Sequence, residues 1–318
     1  MSFSLQSLLF FRANGWSAID LQGGVFGANL GEPVEFGGRP SVLRHVAFPS
    51  QAPDAPVLSQ MWRALASDKF SVVTLLGRRD YQLFMLDKPA VQPDEMEASL
   101  RLTVSAMIDY PVAEASLAWL DIPAKQTMGS RVQQLYVAVA RTEVVQARKN
   151  LFGQANVRLD AVDIRETAQR NISHLLETDR AATCLICVES EGVQLTVTFN
   201  NELYLVRFIN ESLLNQEGAR GLEALGQAVE RLALEIQRSF DFVRRNFPAL
   251  NIDTLLVAPT EDDWGLVPML KTHLIEEVKA LDLSDVFDFS ADADLRTPRV
   301  QAQCFHALGS ALRSPSKD

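Results

Sequence analysis

Residues 221–260, GLEALGQAVERLALEIQRSFDFVRRNFPALNIDTLLVAPT, predict a long amphipathic helix that leads into a buried strand. Pro248 ends the helix, because proline has no backbone N–H to donate. The apolar run 254–258 has the composition of a strand that helices cover on both faces, which indicates an α/β fold. The helical part keeps its apolar side chains on one stripe, with steps of three or four between Leu222, Leu225, Val229, Leu232, Ile236, Phe240, Val243 and Phe247.

The elements around this stretch repeat in the same order along the chain. In each half, three short strands with turns between them precede a helix and a buried strand. The first half has its strands at 16–21, 25–30 and 41–48, its helix at 57–67 and its buried strand at 70–76. The second half has its strands at 182–189, 194–199 and 203–209, before the long helix and the strand at 254–258. A further strand is predicted at 8–11 and a further helix over 266–281.

A small α+β module interrupts the first half. Its elements are a strand at 81–86, a helix at 94–107, strands at 115–122 and 133–140, a helix at 142–151 and a strand at 158–163. We therefore expect domain I over 1–177 with the module at about 80–163, domain II over 178–297, and a C-terminal helix within 298–318. This last helix carries small residues suited to close packing, so we expect it to pack back on domain I.

Composition excludes several classes of protein. The chain has 318 residues, of which 47% are hydrophobic and 22% are charged, as in ordinary globular proteins. A net charge of −10 argues against a nucleic-acid partner, because phosphate recognition needs an excess of Lys and Arg. No apolar run is long enough to insert directly into a membrane, and three cysteines give no disulfide framework. The sequence therefore predicts a cytoplasmic protein.

No catalytic or metal-binding motif stands out. Cys184 and Cys187 have the spacing of a redox or metal pair, but no second pair follows and strand alternation puts them on opposite faces. We expect packing or surface roles for the histidines, which lack ligand spacing: His45, His174, His273 and His306. The chain has neither a Gly-x-Ser-x-Gly elbow nor a Walker A loop.

Several segments, taken in chain order, resemble a known family. They are Ala18-Ile-Asp-Leu-Gln-Gly-Gly24, Asp94-Glu-Met-Glu97, Asp109-Tyr-Pro111, Asp121-Ile-Pro123, Tyr136-Val-Ala-Val-Ala-Arg141, Ala161-Val-Asp163, Leu234-Glu-Ile-Gln-Arg-Ser-Phe-Asp241 and Ala307-Leu-Gly-Ser-Ala-Leu312. Together with the repeated halves, they resemble the actin-like ATPase fold, which is a ribonuclease H-like fold of two domains. Within it, they resemble the type IV pilus assembly family of PilM and MshI, the latter from mannose-sensitive haemagglutinin pili.

The resemblance implies a nucleotide cleft between the domains. Its first phosphate loop would contain Asp20, Gln22, Gly23 and Gly24, and its second would contain Glu189 and Gly192. The Ser/Thr and Lys expected after the first loop are absent, and the second lacks the Asp-x-Gly spacing. At the adenosine loop, Pro259 and the carboxylates of residues 261–263 stand where glycines belong. We expect a degenerate site with no cofactor; the alternative is an actin-like ATPase switch that binds ATP and Mg²⁺.

The resemblance also implies a scaffold role. Such a protein would lie at the inner membrane through partners and capture, with domain I, the cytoplasmic N-terminal tail of a PilN-like or MshJ-like inner-membrane protein. The module would offer a second surface for other pilus assembly proteins. We expect no enzymatic activity. The L-type protein of type II secretion shares the fold, but we disfavour that alternative because those proteins continue into a membrane helix.

Overall fold

The computed structural model describes residues 15–31, 38–49, 51–66, 68–123, 133–178, 181–213 and 218–313. The strand predicted at 8–11 lies outside these residues. Across the described part of the chain, the strands form two five-stranded sheets and one three-stranded sheet. No described helix is both long and apolar enough to cross a bilayer.

Lobe I is built on the first five-stranded sheet, in the order β3-β2-β1-β4-β8. Its strands are β1 (Trp16–Asp20), β2 (Val25–Gly31), β3 (Ser41–Phe48), β4 (Ser71–Leu75) and β8 (Ala161–Asp163). The first three are antiparallel neighbours, whereas β4 and β8 continue the sheet parallel to β1. Helix α1 (Ala55–Leu65) packs on β2 and β3 and buries Leu58, Met61 and Leu65.

Lobe II is built on the second five-stranded sheet, in the order β11-β10-β9-β12-β13. Its strands are β9 (Thr183–Glu189), β10 (Gly192–Phe199), β11 (Glu202–Ile209), β12 (Thr254–Val257) and β13 (Glu277–Ala280). Here too the first three are antiparallel and the last two join in parallel. The long helix α5 (Gly218–Asn246) packs on this sheet and buries the predicted stripe from Leu225 to Val243 in the core. The two lobes therefore repeat one topology, which confirms the predicted α/β duplication.

The inserted module connects β4 to β8. Its antiparallel sheet has the order β5-β7-β6, formed by β5 (Tyr81–Asp87), β6 (Ala115–Ile122) and β7 (Gln134–Arg141). Helix α2 (Met96–Val104) covers one face through Met96, Leu100 and Val104. Helix α3 (Thr142–Gln154) leads the chain back to lobe I.

The helix predicted over 266–281 is wrong in its second half. Helix α6 (Leu266–Lys271) is short, and residues 277–280 form β13, which pairs in parallel with β12. The residues there favour a helix locally, and Val278 is the one buried residue of the strand. The backbone hydrogen bonds that β12 offers therefore override local propensity.

The lobes meet through two helices. Helix α4 (Arg165–Leu176) packs on the sheet of lobe II, and α7 (Pro298–Ala311) packs on β1, β2 and β4 of lobe I. The two helices contact each other at Gly309, whose carbonyl accepts a hydrogen bond of 3.0 Å from Asn171 Nδ2. This pair of helices joins the lobes, and we call it the hinge.

Candidate functional site

A cleft of about 970 Å³ lies between the lobes. The hairpin after β1 and the loop 77–80 line it from lobe I, while the hairpin between β9 and β10 lines it from lobe II. The loop 259–262 and helix α7 complete its walls. Because β1 and β9 hold the same position in their sheets, the repeated topology brings their two hairpins to opposite sides of one cavity.

Four of the six predicted site residues line this cleft, namely Asp20, Gln22, Gly23 and Glu189. Gly24 and Gly192 are not among the lining residues, and close backbone contacts explain why both are glycines. A Cβ at position 24 would lie 2.8 Å from Pro49 Cα, and one at position 192 would lie 2.3 Å from the carbonyl oxygen of Ile209. These two glycines allow the hairpins to form.

Arg165, the first residue of α4, connects the two predicted acidic positions. Its Nη2 lies 3.4 Å from Asp20 Oδ2 of lobe I, and its Nη1 lies 3.3 Å from Glu189 Oε1 of lobe II. Asp20 also accepts a hydrogen bond of 3.1 Å from the backbone N–H of Gln22, as a turn residue does. One guanidinium therefore holds the carboxylates of both lobes.

The charges at this point are buried. Burial alone would lower the pKa of the Arg165 guanidinium, but the carboxylates of Asp20 and Glu189 outweigh it and raise that pKa above its ordinary value. Arg165 is therefore permanently cationic. The side chain of Asp20 is 5% exposed and that of Glu189 is 11% exposed, so solvent screens this pairing little.

His306 of α7 completes the cluster. Arg165 Nη1 donates to His306 Nδ1 across 2.9 Å, because an arginine has no acceptor atom. Burial, and then the charge of Arg165, hold the pKa of His306 well below its usual range, so the ring is neutral. With Nδ1 accepting, the ring proton is on Nε2, which lies 3.7 Å from Glu189 Oε1.

Distances alone would permit a metal ion here. One ligand atom each from Cys187, Glu189 and His306 lies within 4.8 Å of the other two. However, the proton on His306 Nε2 occupies the lone-pair position that would have to face the ion, and the Arg165 cation lies beside it. Burial also raises the pKa of the Cys187 thiol, which disfavours the thiolate that a metal needs. This donor set does not fit a metal.

The mouth of the cleft has its own pairing between the lobes. Arg79 Nη2 of lobe I lies 2.5 Å from Glu191 Oε1 in the hairpin of lobe II. On the far wall, Glu261 contacts Arg299 across 3.6 Å and Gln303 across 3.4 Å. The acidic loop that includes Glu261 is therefore held against α7.

A second buried carboxyl group lies next to the cleft. Glu166 accepts a hydrogen bond of 2.5 Å from the Tyr81 hydroxyl, and its other oxygen lies 3.6 Å from Arg78 Nη1. Burial raises the pKa of the Glu166 carboxyl, and the Tyr81 hydrogen bond offsets this only in part. Arg78 lines both the cleft and a smaller pocket between the module and β11 (Glu202–Ile209), so it is the wall that separates them.

Sequence reasoning missed Arg165 and His306. The sequence analysis assigns Arg165 no role, and it predicts His306 only as a packing or surface residue. Neither residue lies in a local motif. Arg165 contacts Asp20, which is 145 residues away in the chain, and His306, which is 141 residues away. The available signal was indirect: two acidic positions facing one cleft require a cation.

Comparisons with known proteins agree with this architecture. Residues 57–208 match the family model described as type IV pilus assembly protein PilM. A solved PilM–PilN type IV pilus biogenesis complex is 17% identical, with a TM-score of 0.73 over 94% of this chain and 98% of that one. A Bacteroides thetaiotaomicron protein with an actin-like ATPase fold and unknown function is 9% identical, with a TM-score of 0.50 over 92% and 100%. Among curated proteins, none matches the chain.

The sequence match and the structural match support each other. The match to the family model runs from α1 through the module and into lobe II, as far as β11. The structural match extends over nearly the whole length of both chains. The chain is therefore similar in sequence to PilM across residues 57–208 and has the actin-like fold.

Proposed function

We propose that the chain is a cytoplasmic scaffold of a type IV pilus assembly platform. It captures the cytoplasmic N-terminal tail of a PilN-like inner-membrane protein with domain I, and this contact keeps it at the membrane surface. The observation that carries the proposal is the PilM match over residues 57–208, in a chain whose fold follows that of a protein solved in complex with PilN. Capturing an extended tail needs a groove and exposed backbone rather than a catalytic site.

The module is the second contact surface of this scaffold. Eight large apolar side chains are exposed among the described residues, and five lie within the module: Met85, Val91, Leu102, Met107 and Trp119. Apolar exposure that is concentrated in one inserted unit supports a protein-binding role for that unit. The module therefore suits a further pilus assembly protein, distinct from the one that provides the tail.

We infer that the cleft no longer hydrolyses ATP. The carboxylates that would face a magnesium ion are those that Arg165 already contacts, and a guanidinium beside them repels a second cation. On the adenosine side, Pro259 cannot donate an N–H, and Glu261 and Asp262 place negative charge in the cleft. The residues present do not fit Mg-ATP, and Arg165 takes over the task of linking the two lobes.

A tail-binding titration tests the scaffold role. The probe is a fluorescent peptide of the N-terminal cytoplasmic tail of a PilN-like protein from the same organism, and its anisotropy is followed as the full chain is added. We expect saturable binding that the unlabelled peptide displaces and that a scrambled peptide of the same composition lacks. Absence of binding with every such tail would refute the proposal.

A thermal-shift measurement tests the nucleotide inference separately. A ligand that binds only the folded chain raises its stability by RT ln(1 + [L]/Kd). We expect no rise in melting temperature with Mg-ATP at millimolar concentration. A clear rise that Asp20→Ala abolishes would instead establish the ATP-driven switch.

A narrower assignment concerns the pilus system. The segments that resemble MshI lead us to propose a mannose-sensitive haemagglutinin pilus, with an MshJ-like protein as the source of the tail. Titrating MshJ-like and PilN-like tails side by side tests this assignment. Tighter binding of the PilN-like tail would refute the assignment to a mannose-sensitive haemagglutinin pilus, but it would not contradict the scaffold role.

A further inference from the structure

A second polar pocket, of about 220 Å³, lies on another face of the hinge helix α4. Thr167, Arg170 and His174 line it at steps of three and four, and they project about 140–200° around the helix axis from Arg165. Asn201, in the turn between β10 and β11, adds lobe II to the pocket, and Arg313 closes it just after α7. It is therefore separate from the cleft and touches both lobes.

Arg170 is half-buried and, unlike Arg165 and Arg148, has no carboxylate partner in the part of the chain that the structure describes. Its only hydrogen bonds among the described residues go to the neighbouring Asn171 Oδ1, at 3.0 and 3.3 Å, and no described carboxylate lies within 4.0 Å of it. By contrast, Arg165 has two carboxylates, and Arg148 lies 3.2 Å from Asp80. Burial lowers the pKa of Arg170, and Asp163 and Glu202 raise it too weakly from a distance to compensate. This half-buried cation therefore lacks a close counter-charge.

The carboxylates around the pocket are already engaged. Asp163 accepts hydrogen bonds from the Ile164 N–H, the Thr167 hydroxyl and Arg313 Nη1. Glu177 accepts two from the backbone N–H of Asn201, at 2.9 and 3.1 Å, and lies 2.9 Å from His174 Nδ1. These bonds fix the walls of the pocket, and they leave the Arg170 guanidinium without a carboxylate partner among the described residues.

We propose that this pocket, with Arg170 on one wall, Arg313 on another and Asn201 closing it from lobe II, binds a small oxyanion such as a phosphate or carboxylate group. A guanidinium presents planar N–H pairs that suit two oxygens of either group. Asn201, which lines the pocket from lobe II, has a side-chain amide that can donate a further hydrogen bond. An anion bound there supplies the missing counter-charge and connects lobe II to α4 and α7.

Calorimetry with inorganic phosphate tests the site. Phosphate is titrated into the full chain with chloride making up constant ionic strength, and acetate is run in parallel as the carboxylate probe. We expect saturable binding of at least one of the two. Arg170→Gln removes the charge but keeps a polar side chain, and it should weaken binding by about tenfold or more, as the loss of one charge-assisted contact predicts. Asn201→Ala should weaken it less.

Arg79→Gln is the matched control, because Arg79 is an exposed arginine at the mouth of the cleft. It should leave binding unchanged if the anion occupies the hinge pocket. Three results would overturn the proposal: no saturable binding of either probe, equal binding by Arg170→Gln, or loss of binding in Arg79→Gln alone. Circular dichroism and the melting temperature establish that each variant is folded.

Discussion

Gly309 of α7 lies against the backbone of Ala168 in α4, so that a Cβ at position 309 would come within 2.3 Å of the Ala168 carbonyl oxygen. Neither helix can move away freely, because α4 packs on one sheet and α7 on the other. Gly309→Ala should therefore lower the free energy of unfolding by about 2–4 kcal/mol, as overpacking at a tight contact does. Urea unfolding followed by circular dichroism measures this loss.

Gly153→Ala is the control for that prediction. Gly153 also lies in a helix, α3, but a Cβ there meets nothing within 4 Å. We expect it to raise stability by about 0.5–1 kcal/mol, since alanine favours a helix over glycine. If the two substitutions had equal effects, close contact between the hinge helices would not be the cause.

Arg165→Met should destabilise the chain by about 3–5 kcal/mol at pH 7, because it leaves two buried carboxylates without a cation. Burial already raises the pKa of Glu189, and Arg165 opposes that rise. Without Arg165, the folded-state pKa should rise further above the unfolded value. The variant then keeps its stability below the unfolded pKa of Glu189 and loses it as the pH rises. The difference in free energy of unfolding between the unmodified chain and Arg165→Met should therefore shrink as the pH falls from 7 to 4.5. Urea unfolding of the unmodified chain and of Arg165→Met across that pH range measures this difference. A difference that does not change with pH would contradict the prediction.

Glu166→Gln should flatten the pH dependence of stability. The raised pKa of Glu166 means that its folded state favours the protonated form, so this group costs stability as the pH rises above its unfolded pKa. Glutamine keeps a partner for the Tyr81 hydroxyl without the charge. The free energy of unfolding of Glu166→Gln minus that of the unmodified chain, measured with urea, should therefore increase from pH 4 to pH 7. Glu230→Gln, at an exposed position of α5, should show no such gain.

Leu102→Glu should impair module contacts without affecting the fold. Leu102 is 78% exposed on α2, so the change should alter stability by no more than about 0.5 kcal/mol. We expect it to abolish a two-hybrid interaction with a further pilus assembly protein and to leave tail binding intact. Leu234→Glu, at a 50% exposed leucine of α5, is the matched control and should keep both interactions.

The fold could be predicted because its signals are local. The stripe from Leu225 to Val243 and the short strands of each half have the periods that helices and strands impose, and their repetition identified the duplicated topology. The edge strand β13 was mistaken for helix because only its pairing with β12 determines it. The domain boundaries at 177/178 and 297/298 stay predictions.

The site was only partly predictable for the opposite reason. Asp20 and Glu189 were predicted from the resemblance to the actin-like fold, whose phosphate loops correspond to the hairpins after β1 and β9. Arg165 and His306 reach the same point from α4 and α7, and their roles depend on how these helices cross. No local pattern in the sequence encodes that crossing. The expectation that the cleft is a degenerate nucleotide site stays a prediction.

The module leaves lobe I after β4 and returns at β8, and these two strands are adjacent in the sheet, with Leu75 opposite Asp163. Its exit and entry points therefore behave like the two ends of one ordinary crossover, which lobe II closes with a single short helix. Evolution can exchange this insert, or an engineer can graft another in its place, without rethreading the sheet, provided that the new insert keeps the hydrogen bond from Tyr81 to Glu166 of α4. The recognition properties of the insert are thus free to diverge while the supporting body stays the same.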